Sequence, residues 1–317
     1  MVLNKLKPRR HRYAILLLSC TILMCVYFEN SWKLLTQKYH VSEHIACVAC
    51  APKRKGTEWF FARYAPTVHL LLNSSNSMLS KDVSSWWTRL QKVKRNANYT
   101  TVVRNLFPLF PDQDPNRCRT CAVVGNSGNL LGSRYGPLID SKDCVMRINK
   151  GPTEGFEEDV GSNTTHRILY PESVMDLDNS THLVFFPFKI LDIEWLISAF
   201  TTKDINETYM NVPSTINANK DKVMILHPEF MKYVHKNWTQ FHGRYPSSGF
   251  LTVIFALHIC DEVHVFGFGA TKDGNWHHYF DKTLTPVANE SHSGDIEYET
   301  IIRLHREKNL LMYKGWT

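Results

Sequence analysis

The stretch CAVVGNSGN, residues 121–129, runs a short apolar segment into a turn that carries Gly125 and Gly128. A few continuous apolar residues closed by glycine read as a strand buried on both faces. Glycine lets the backbone turn tightly and approach a ligand, and a helix opening after it presents unpaired N–H groups to an anion. The stretch lacks both G-x-G-x-x-G and G-K-[ST], so on its own an ordinary strand-turn-helix connection is the plainer reading. Working outward, further strands are predicted at 144–148 (CVMRI), 166–170 (HRILY), 181–188 (THLVFFPF), 222–226 (KVMIL) and 262–269 (EVHVFGFG). Helical stretches fall between or after them at 130–139, 190–200, 229–238, 249–260 and 297–308. That alternation predicts an α/β fold with crossover helices. Upstream, 58–105 reads as helical, with the aromatic and charged faces of WWTRLQKVKR, and the prolines of FPLFPDQDPNR (107–117) mark a boundary loop.

The 317 residues, 43% hydrophobic, suffice for one sizeable core. The formal charge of +7 is concentrated at the start, where Lys5, Lys7, Arg9, Arg10 and Arg12 precede any acid. Beyond residue 12, 32 basic residues face 30 acidic ones. That balance gives no ground for nucleic-acid binding. The basic cluster abuts YAILLLSCTILMCVYF (13–28), an uncharged run that fits a membrane helix with its positive flank in the cytosol. The residues after it, ENSWK, lack the small-x-small pattern of signal cleavage. The expected organisation is a cytosolic tail at 1–12, a signal anchor at 13–28, a short stem at 29–45 and a lumenal domain at 46–317.

A lumenal domain is exposed to disulfide formation and N-glycosylation. Sequons stand at Asn73, Asn98, Asn163, Asn179, Asn206, Asn237 and Asn289. Cys20 and Cys25 fall in the anchor, which leaves Cys47, Cys50, Cys118, Cys121, Cys144 and Cys260. The two C-x-x-C spacings could hold zinc, but an oxidising lumen favours disulfides.

Two further segments carry chemistry. Tyr245-Pro-Ser-Ser-Gly249 precedes the apolar FLTVIFALHIC, so Ser247 or Ser248 can cap a helix whose positive dipole end faces forward. Capping alone would explain it, although two strand-to-helix openings make a nucleotide site more plausible. Trp276-His277-His278-Tyr279, followed by His292 and Glu297, could bind metal, act as acid and base, or do neither.

These residues together carry a resemblance. Residues 118–173 resemble the large sialylmotif of the animal sialyltransferases and 242–269 (HGRYPSSGFLTVIFALHICDEVHVFGFG) the small one. WHHYFD (276–281) resembles the third motif, and His292-x-x-x-x-Glu297 the very small one. The order and spacing are those of the family. WWTRLQ, PFKILDIEWLISAF, GRYPSSG and GNWHHY are most similar to the β-galactoside α-2,3-sialyltransferases that act on Gal-β-1,3-GalNAc.

The resemblance implies a single modified Rossmann-like domain with a mostly parallel sheet flanked by helices. It also implies a single-pass type II Golgi membrane protein that transfers sialic acid from CMP-sialic acid to a galactose hydroxyl with inversion. By motif matching, His292 is the general base and His278 the hydrogen-bond donor to the leaving phosphate. Asn126 and Asn149 are ligands of the nucleotide and its phosphate, and Ser127, Ser247, Ser248, Gly249 and Gly269 line the cytidine pocket. Tyr170 and Tyr209 stand beside the donor, while Tyr245 and Gln91 face the acceptor. For Tyr209 and Gln91, outside the motifs, core packing or plain surface reads equally well. The implied disulfides are Cys47–Cys118 and Cys121–Cys260.

Asp112-Gln-Asp114 and Asp176-Leu-Asp178 satisfy the D-x-D pattern of manganese-dependent transferases. CMP leaves as a monophosphate, for which hydrogen bonds and a helix dipole can suffice, so no metal is expected and both strings are read as coincidence. The sequence departs from the subfamily at Ile45, where a cysteine is expected, which leaves the partners of Cys50 and Cys144 open. Asp281 stands where Glu is common, and a glycan on Asn163 would crowd the large motif. Galactose-terminated glycans are the expected acceptors, and a homodimer is compatible with the sequence. The alternatives are a sialyltransferase of other linkage or acceptor, or a non-catalytic type II membrane lectin.

Overall fold

The computed structural model describes residue 24 and residues 56–91, 97–115, 117–282 and 292–315. The expected anchor (apart from Met24), the stem, Cys47, Cys50 and Asn289 lie outside them. No helix of the described residues is long and apolar enough to cross a membrane. From residue 56 onward, everything described belongs to one compact unit that begins at Ala49.

Seven parallel strands form its centre: β1 (Cys118–Val124), β2 (Cys144–Ile148), β3 (His166–Leu169), β4 (His182–Phe185), β5 (Val223–Ile225), β6 (Cys260–Phe266) and β7 (Leu311–Tyr313). Their order is β5-β4-β3-β2-β1-β6-β7. The chain builds outward from β1 to β5, then crosses back and continues on the other side through β6 and β7. The sheet therefore has a topological switch point between β1 and β6, the place where open α/β sheets bind ligands.

Both faces of the middle strands are covered, which is why β1 and β2 read as continuous apolar runs. Cys121 and Val123 point into the larger core, while Ala122 and Val124 join Leu130, Val145, Val160 and Phe266 on the opposite face. The helices are α1 (Glu58–Phe61), α2 (Lys81–Thr88), α3 (Tyr99–Leu106), α4 (Gly136–Asp140), α5 (Glu157–Val160), α6 (Ile190–Phe200), α7 (Pro228–Tyr233), α8 (Ser248–Ile259) and α9 (Gly294–Arg306). Every residue of α8 from Phe250 to Ile259 is buried, so this helix has no polar face and lies wholly within the core, against β1, β2 and β6.

The structure breaks the predicted 58–105 helix into three pieces, because Ser80 and Asn98 each cap a new helix with side-chain oxygens that accept from Val83 and Thr101 N–H. The predicted 130–139 helix shrinks to a 3₁₀ turn and α4, since Gly132 and Arg134 take φ of +75° and +56°. Helix α7 runs on through a π-helical turn at Val234–Trp238. Of the described sequons, Asn98, Asn163, Asn179 and Asn206 are exposed, whereas Asn73 and Asn237 are half-buried. The Asn163 amide already donates to the Asp140 carbonyl at 3.1 Å, and that of Asn237 to Arg63 at 3.1 Å.

Cys121 bonds Cys260 as the resemblance implied, joining β1 to β6. Cys118 does not follow it: in the structure it bonds Cys144, not Cys47. The reason is the sheet itself, since Cys144 opens β2 beside β1 and the two Cα atoms are 6.1 Å apart, within disulfide reach. The sulfurs of Cys118, Cys121 and Cys144 lie within 4.8 Å of one another. All three are oxidised, so neither thiolate of the second C-x-x-C is left to ligate zinc.

Two outcomes are expected. Non-reducing peptide mapping recovers a Cys118–Cys144 cross-link. Replacing Cys121 and Cys260 by serine, which opens a loop with a sequence separation of 139, costs about 3–5 kcal/mol in the chain-entropy model and lowers Tm by roughly 10 °C.

Candidate active site

At the switch point the ends of β1, β2 and β6 are stitched together by backbone and amide hydrogen bonds. Gly125 N–H donates to Phe266 O at 2.8 Å and Ser127 N–H to Gly267 O at 3.0 Å. The Asn126 side chain donates to Ile148 O at 3.0 Å, and the Ser127 hydroxyl to Gly269 O at 2.6 Å. Only glycine fits at 125, because a Cβ there would meet Gly267 O at 2.4 Å. Residues 126–128 then pair with the histidine segment: Gly128 N–H donates to His277 O, Tyr279 N–H to Asn126 O, and Ser127 bridges His278.

The turn after β2 is held from beneath. Asn149 takes φ +55°, and Arg167 Nη1 donates to the carbonyls of Asn149 at 3.1 Å and Gly151 at 2.9 Å. Arg147 and Arg167 are almost fully buried, and burial pulls both guanidinium pKa values down, Arg147 to about 10. The Asn149 Oδ1 atom is buried and has no hydrogen-bond partner among the described residues. The turn therefore rests on the buried Arg167 charge, with Arg147 paired beside it in the sheet, a setting that favours an anion, while the free Asn149 Oδ1 can only accept a hydrogen bond from a ligand.

Ser247 caps α8, its hydroxyl accepting from Phe250 N–H at 3.1 Å. Glu297 from α9 receives Ser247 N–H at 2.7 Å and the Ser247 hydroxyl at 2.5 Å, and burial pushes its carboxyl up to about 7. The first amides of α8 have no acceptor within the helix, and Ser248 and Gly249 line the cleft.

His292 stands at the start of α9. Its Nδ1 is 3.0 Å from the Tyr245 carbonyl, and its ring meets the Tyr245 ring edge-on at 4.8 Å. A carbonyl can only accept, so Nδ1 carries the hydrogen and the neutral ring keeps its lone pair on Nε2. Burial lowers the His292 pKa, opposed by the Tyr245 carbonyl. Gly243 permits the approach: its φ is +70°, and a Cβ there would lie 2.9 Å from Ser293 N. His235 holds that turn, accepting from Trp86 Nε1 at 3.0 Å and donating to Gly243 O at 3.2 Å.

The result is one cleft of about 300 Å³ at the switch point. The sequence-predicted Asn126, Ser127, Asn149, Tyr170, Ser247, Ser248, Gly249, Gly269, His278 and His292 all line it. His278 stacks on Phe280 at 5.0 Å, and burial lowers its pKa. Tyr170 is pushed up to about 12 by burial and therefore stays a phenol. Three sequence candidates lie outside the lining. Tyr245 touches His292, Tyr209 is exposed on a neighbouring loop, and Gln91 follows a segment whose carbonyls at Arg89 and Leu90 accept from Arg244, beside Tyr245. Neither D-x-D string lines the cleft; Asp112 accepts from Ser74, and Asp176 and Asp178 accept from Asn217, Ser180 and Thr181.

The family model described as glycosyltransferase family 29 (sialyltransferase) matches residues 71–309. The chain belongs to glycosyltransferase family 29, the sialyltransferases. It is similar to the pig CMP-N-acetylneuraminate-beta-galactosamide-alpha-2,3-sialyltransferase 1, 45% identical over 90% of this chain and 86% of that one. The mouse enzyme named alpha-2,3-sialyltransferase 2 is 42% identical over 87% and 81%. A mammalian sialyltransferase solved in complex with Gal-beta-1-3GalNAc-ortho-nitrophenol superposes with a TM-score of 0.78 at 45% identity, over 84% of this chain and 99% of that one.

This sialyltransferase also recruits residues that sequence reasoning gave no role. Glu297 is visible in the sequence as the closing residue of the last motif, but its work, holding the Ser247 cap, needs the fold. Phe268, Trp276 and Tyr298 line the cleft as well, and an aromatic beside glycine or histidine in a motif is the signal that could have marked the first two. Arg167 is a buried charge inside a strand, a pattern that by itself signals function.

Arg167→Lys keeps the charge of this sialyltransferase but loses the fork to Asn149 and Gly151. The expected loss is about 1–2 kcal/mol, roughly a tenfold rise in donor KM, with the acceptor KM unchanged, as initial-rate kinetics with each substrate varied would report.

Proposed function

We propose that this sialyltransferase moves sialic acid from CMP-sialic acid to the 3-hydroxyl of a terminal galactose, with Gal-β-1,3-GalNAc on glycoproteins or glycolipids as the acceptor, and with inversion. The observation that carries the reading is the position of His292, whose Nε2 lone pair is freed by the Tyr245 carbonyl at the edge of a cleft built for an anion. The names of the similar α-2,3 enzymes, and the disaccharide bound in a similar structure, support the linkage and the acceptor.

The acceptor hydroxyl attacks the anomeric carbon of sialic acid while the bond from that carbon to the CMP phosphate oxygen breaks. The hydroxyl proton passes to His292 Nε2, and the electron pair of the broken bond leaves with CMP. Attack opposite to the leaving group inverts the anomeric centre. Asn126 and Asn149, the first amides of α8 and His278 receive the growing negative charge on the phosphate. Ser127, Ser247, Ser248, Gly249 and Gly269 enclose the cytidine, with Tyr170 beside the donor. Tyr245 and Gln91 form the acceptor side, and Tyr209, whose ring lies over Lys189 next to the Phe188–Tyr245 pair, is assigned to that side and not to the donor side that the resemblance implied. No metal is assigned a part, because a departing monophosphate is served by hydrogen bonds and a helix dipole.

The basic cluster before the apolar 13–28 run, the sequons and the two disulfides support a type II membrane protein of the Golgi with a lumenal catalytic domain.

His292→Ala is expected to retain secretion and CMP binding and to lose about 10²–10⁴ in kcat; near-normal turnover would remove the base assignment. Only the neutral ring accepts a proton, and burial depresses its pKa. Hence kcat/KM rises with pH through a value below the ordinary histidine value of about 6.5 and then levels, which a pH–rate profile would test. Activity that falls in EDTA and returns with Mn²⁺ would overturn the metal-free assignment.

A further inference from the structure

Beside the cleft, and outside its lining, lies a buried cluster of charges that the reaction as written does not use. Glu172 follows β3, and its side chain is 4% exposed. Lys189, at the start of α6, places Nζ 2.9 Å from Glu172 Oε1 and 2.6 Å from Asp192 Oδ1. Asp192 is fully buried and also accepts the N–H groups of Phe188 at 2.9 Å and Lys189 at 3.1 Å, so the lysine side chain and the start of α6 are held by one carboxylate. Glu172 accepts the Thr208 hydroxyl, while its Oε2 atom is buried with no hydrogen-bond partner among the described residues.

What this cluster touches on its outer side is aromatic. Lys189 Nζ sits 4.6 Å from the centroid of the Tyr209 ring, which is 54% exposed. Phe188, next in the chain to Lys189, meets Tyr170 edge-on at 5.6 Å and Tyr245 at 5.2 Å, and Tyr245 in turn meets His292. Burial raises the Tyr209 phenol, and after it Glu172, Tyr170 and Tyr245, which places that ring in the same group. The loop that carries Tyr209 closes on itself through Val212 N–H to Asn206 O at 2.9 Å, and its base is tied to Ser198 by the amides of Asp204 and Ile205. The tip therefore has one polar tether to the body of the protein among the described contacts, the Thr208 hydroxyl on Glu172, reinforced by the lysine beneath the ring.

We propose that Glu172, Lys189 and Asp192 are positioning residues that fix Tyr209 and Phe188 as the wall on which the acceptor galactoside seats, and so set acceptor affinity without touching donor or acceptor. This rests on the proposed acceptor side of the cleft. Flat aromatic rings held rigid suit the apolar face of a sugar, and a loop left untethered would have to be ordered by each acceptor at a cost in affinity. The donor, held by the ends of β1, β2 and β6 and by α8, is independent of this loop.

The test is steady-state kinetics on the lumenal enzyme with donor and galactoside varied separately, alongside CMP inhibition. Thr208→Val and Glu172→Gln are expected to raise acceptor KM by about fivefold or more, with kcat, donor KM and CMP inhibition within about twofold. Thr208→Ser, which keeps the hydroxyl, restores the acceptor KM. Unchanged acceptor KM in Thr208→Val, or a parallel loss of donor and acceptor binding, overturns the proposal. If Glu172→Gln does not fold, Thr208→Val decides alone, since it removes one hydroxyl from a surface loop. A wild-type enzyme that hydrolyses CMP-sialic acid but transfers to no galactoside would instead defeat the acceptor assignment itself, before any variant is compared.

Discussion

Parallel pairing between β1 and β6 is the constraint on which the site depends. Because the chain reverses its direction across the sheet there, the two strand ends separate into different loops and leave a crevice between them. The hydrogen bonds from Gly125 and Ser127 to the last residue of β6 and the one after it, with Cys121–Cys260 toward the other end of the strands, fix the width of that crevice. Asn126, Ser127, Gly269 and, through the antiparallel bridge, His278 all take their positions from this pair of strands. The buried helix α8 follows from the same arrangement. It must cross the sheet to reach β6, and its N-terminus arrives at the switch point while its apolar body fills the core.

Electrostatics on the donor side are a balance between fixed charges of opposite sign. The buried Arg167 guanidinium holds the Asn149 turn and its strand neighbour Arg147 is buried against Asn163 and Thr164, whereas Glu297 sits behind the cap of α8. A carboxylate near an anion site would oppose binding, but burial pushes this one up to about 7, so it is only partly ionised near neutral pH. The same group accepts two hydrogen bonds from Ser247 and thereby orients the helix start. Its cost in field strength is offset by geometry, because the α8 amides serve a ligand only when the cap holds them in place.

Much of this was legible in the sequence, for identifiable reasons. CVMRI was placed as β2 to the residue, since a strand buried on both faces is a continuous apolar run with sharp ends. Helix α6 was equally exact. The motif residues gathered in the cleft because they end strands or begin helices, which are positions that sequence marks with glycine and serine. What escaped the sequence depends on contacts between distant segments. Strand β7 is three residues long at the sheet edge, too short for a period to register. The 130–139 helix failed because the αL conformation of Arg134 is dictated by its surroundings, including the Asp159 carboxylate that receives its N–H at 2.9 Å, and not by its own propensity. Cys144 could be assigned no partner until the register placed it beside β1. Glu172 and Lys189 are seventeen positions apart, and no spacing rule joins them.

The division of labour across the cleft follows from which elements supply each side. The donor side is made of strand ends and a fully buried helix, elements that cannot shift without disturbing the core. The proposed acceptor side is made of Phe188 just before α6, the Tyr209 loop and the turn from Gly243 to Tyr245, all of which can change in length or composition without altering the sheet. His292 belongs to neither alone. Its ring is oriented by the carbonyl of Tyr245, on the acceptor side, while its helix carries Glu297, which caps the donor side. The proposed proton acceptor, tied to both walls, keeps its distance to the reacting oxygen only if the two walls keep theirs, so Gly243, where a Cβ would lie 2.9 Å from Ser293 N, is the point at which the proposed acceptor side and the proposed base are mechanically joined.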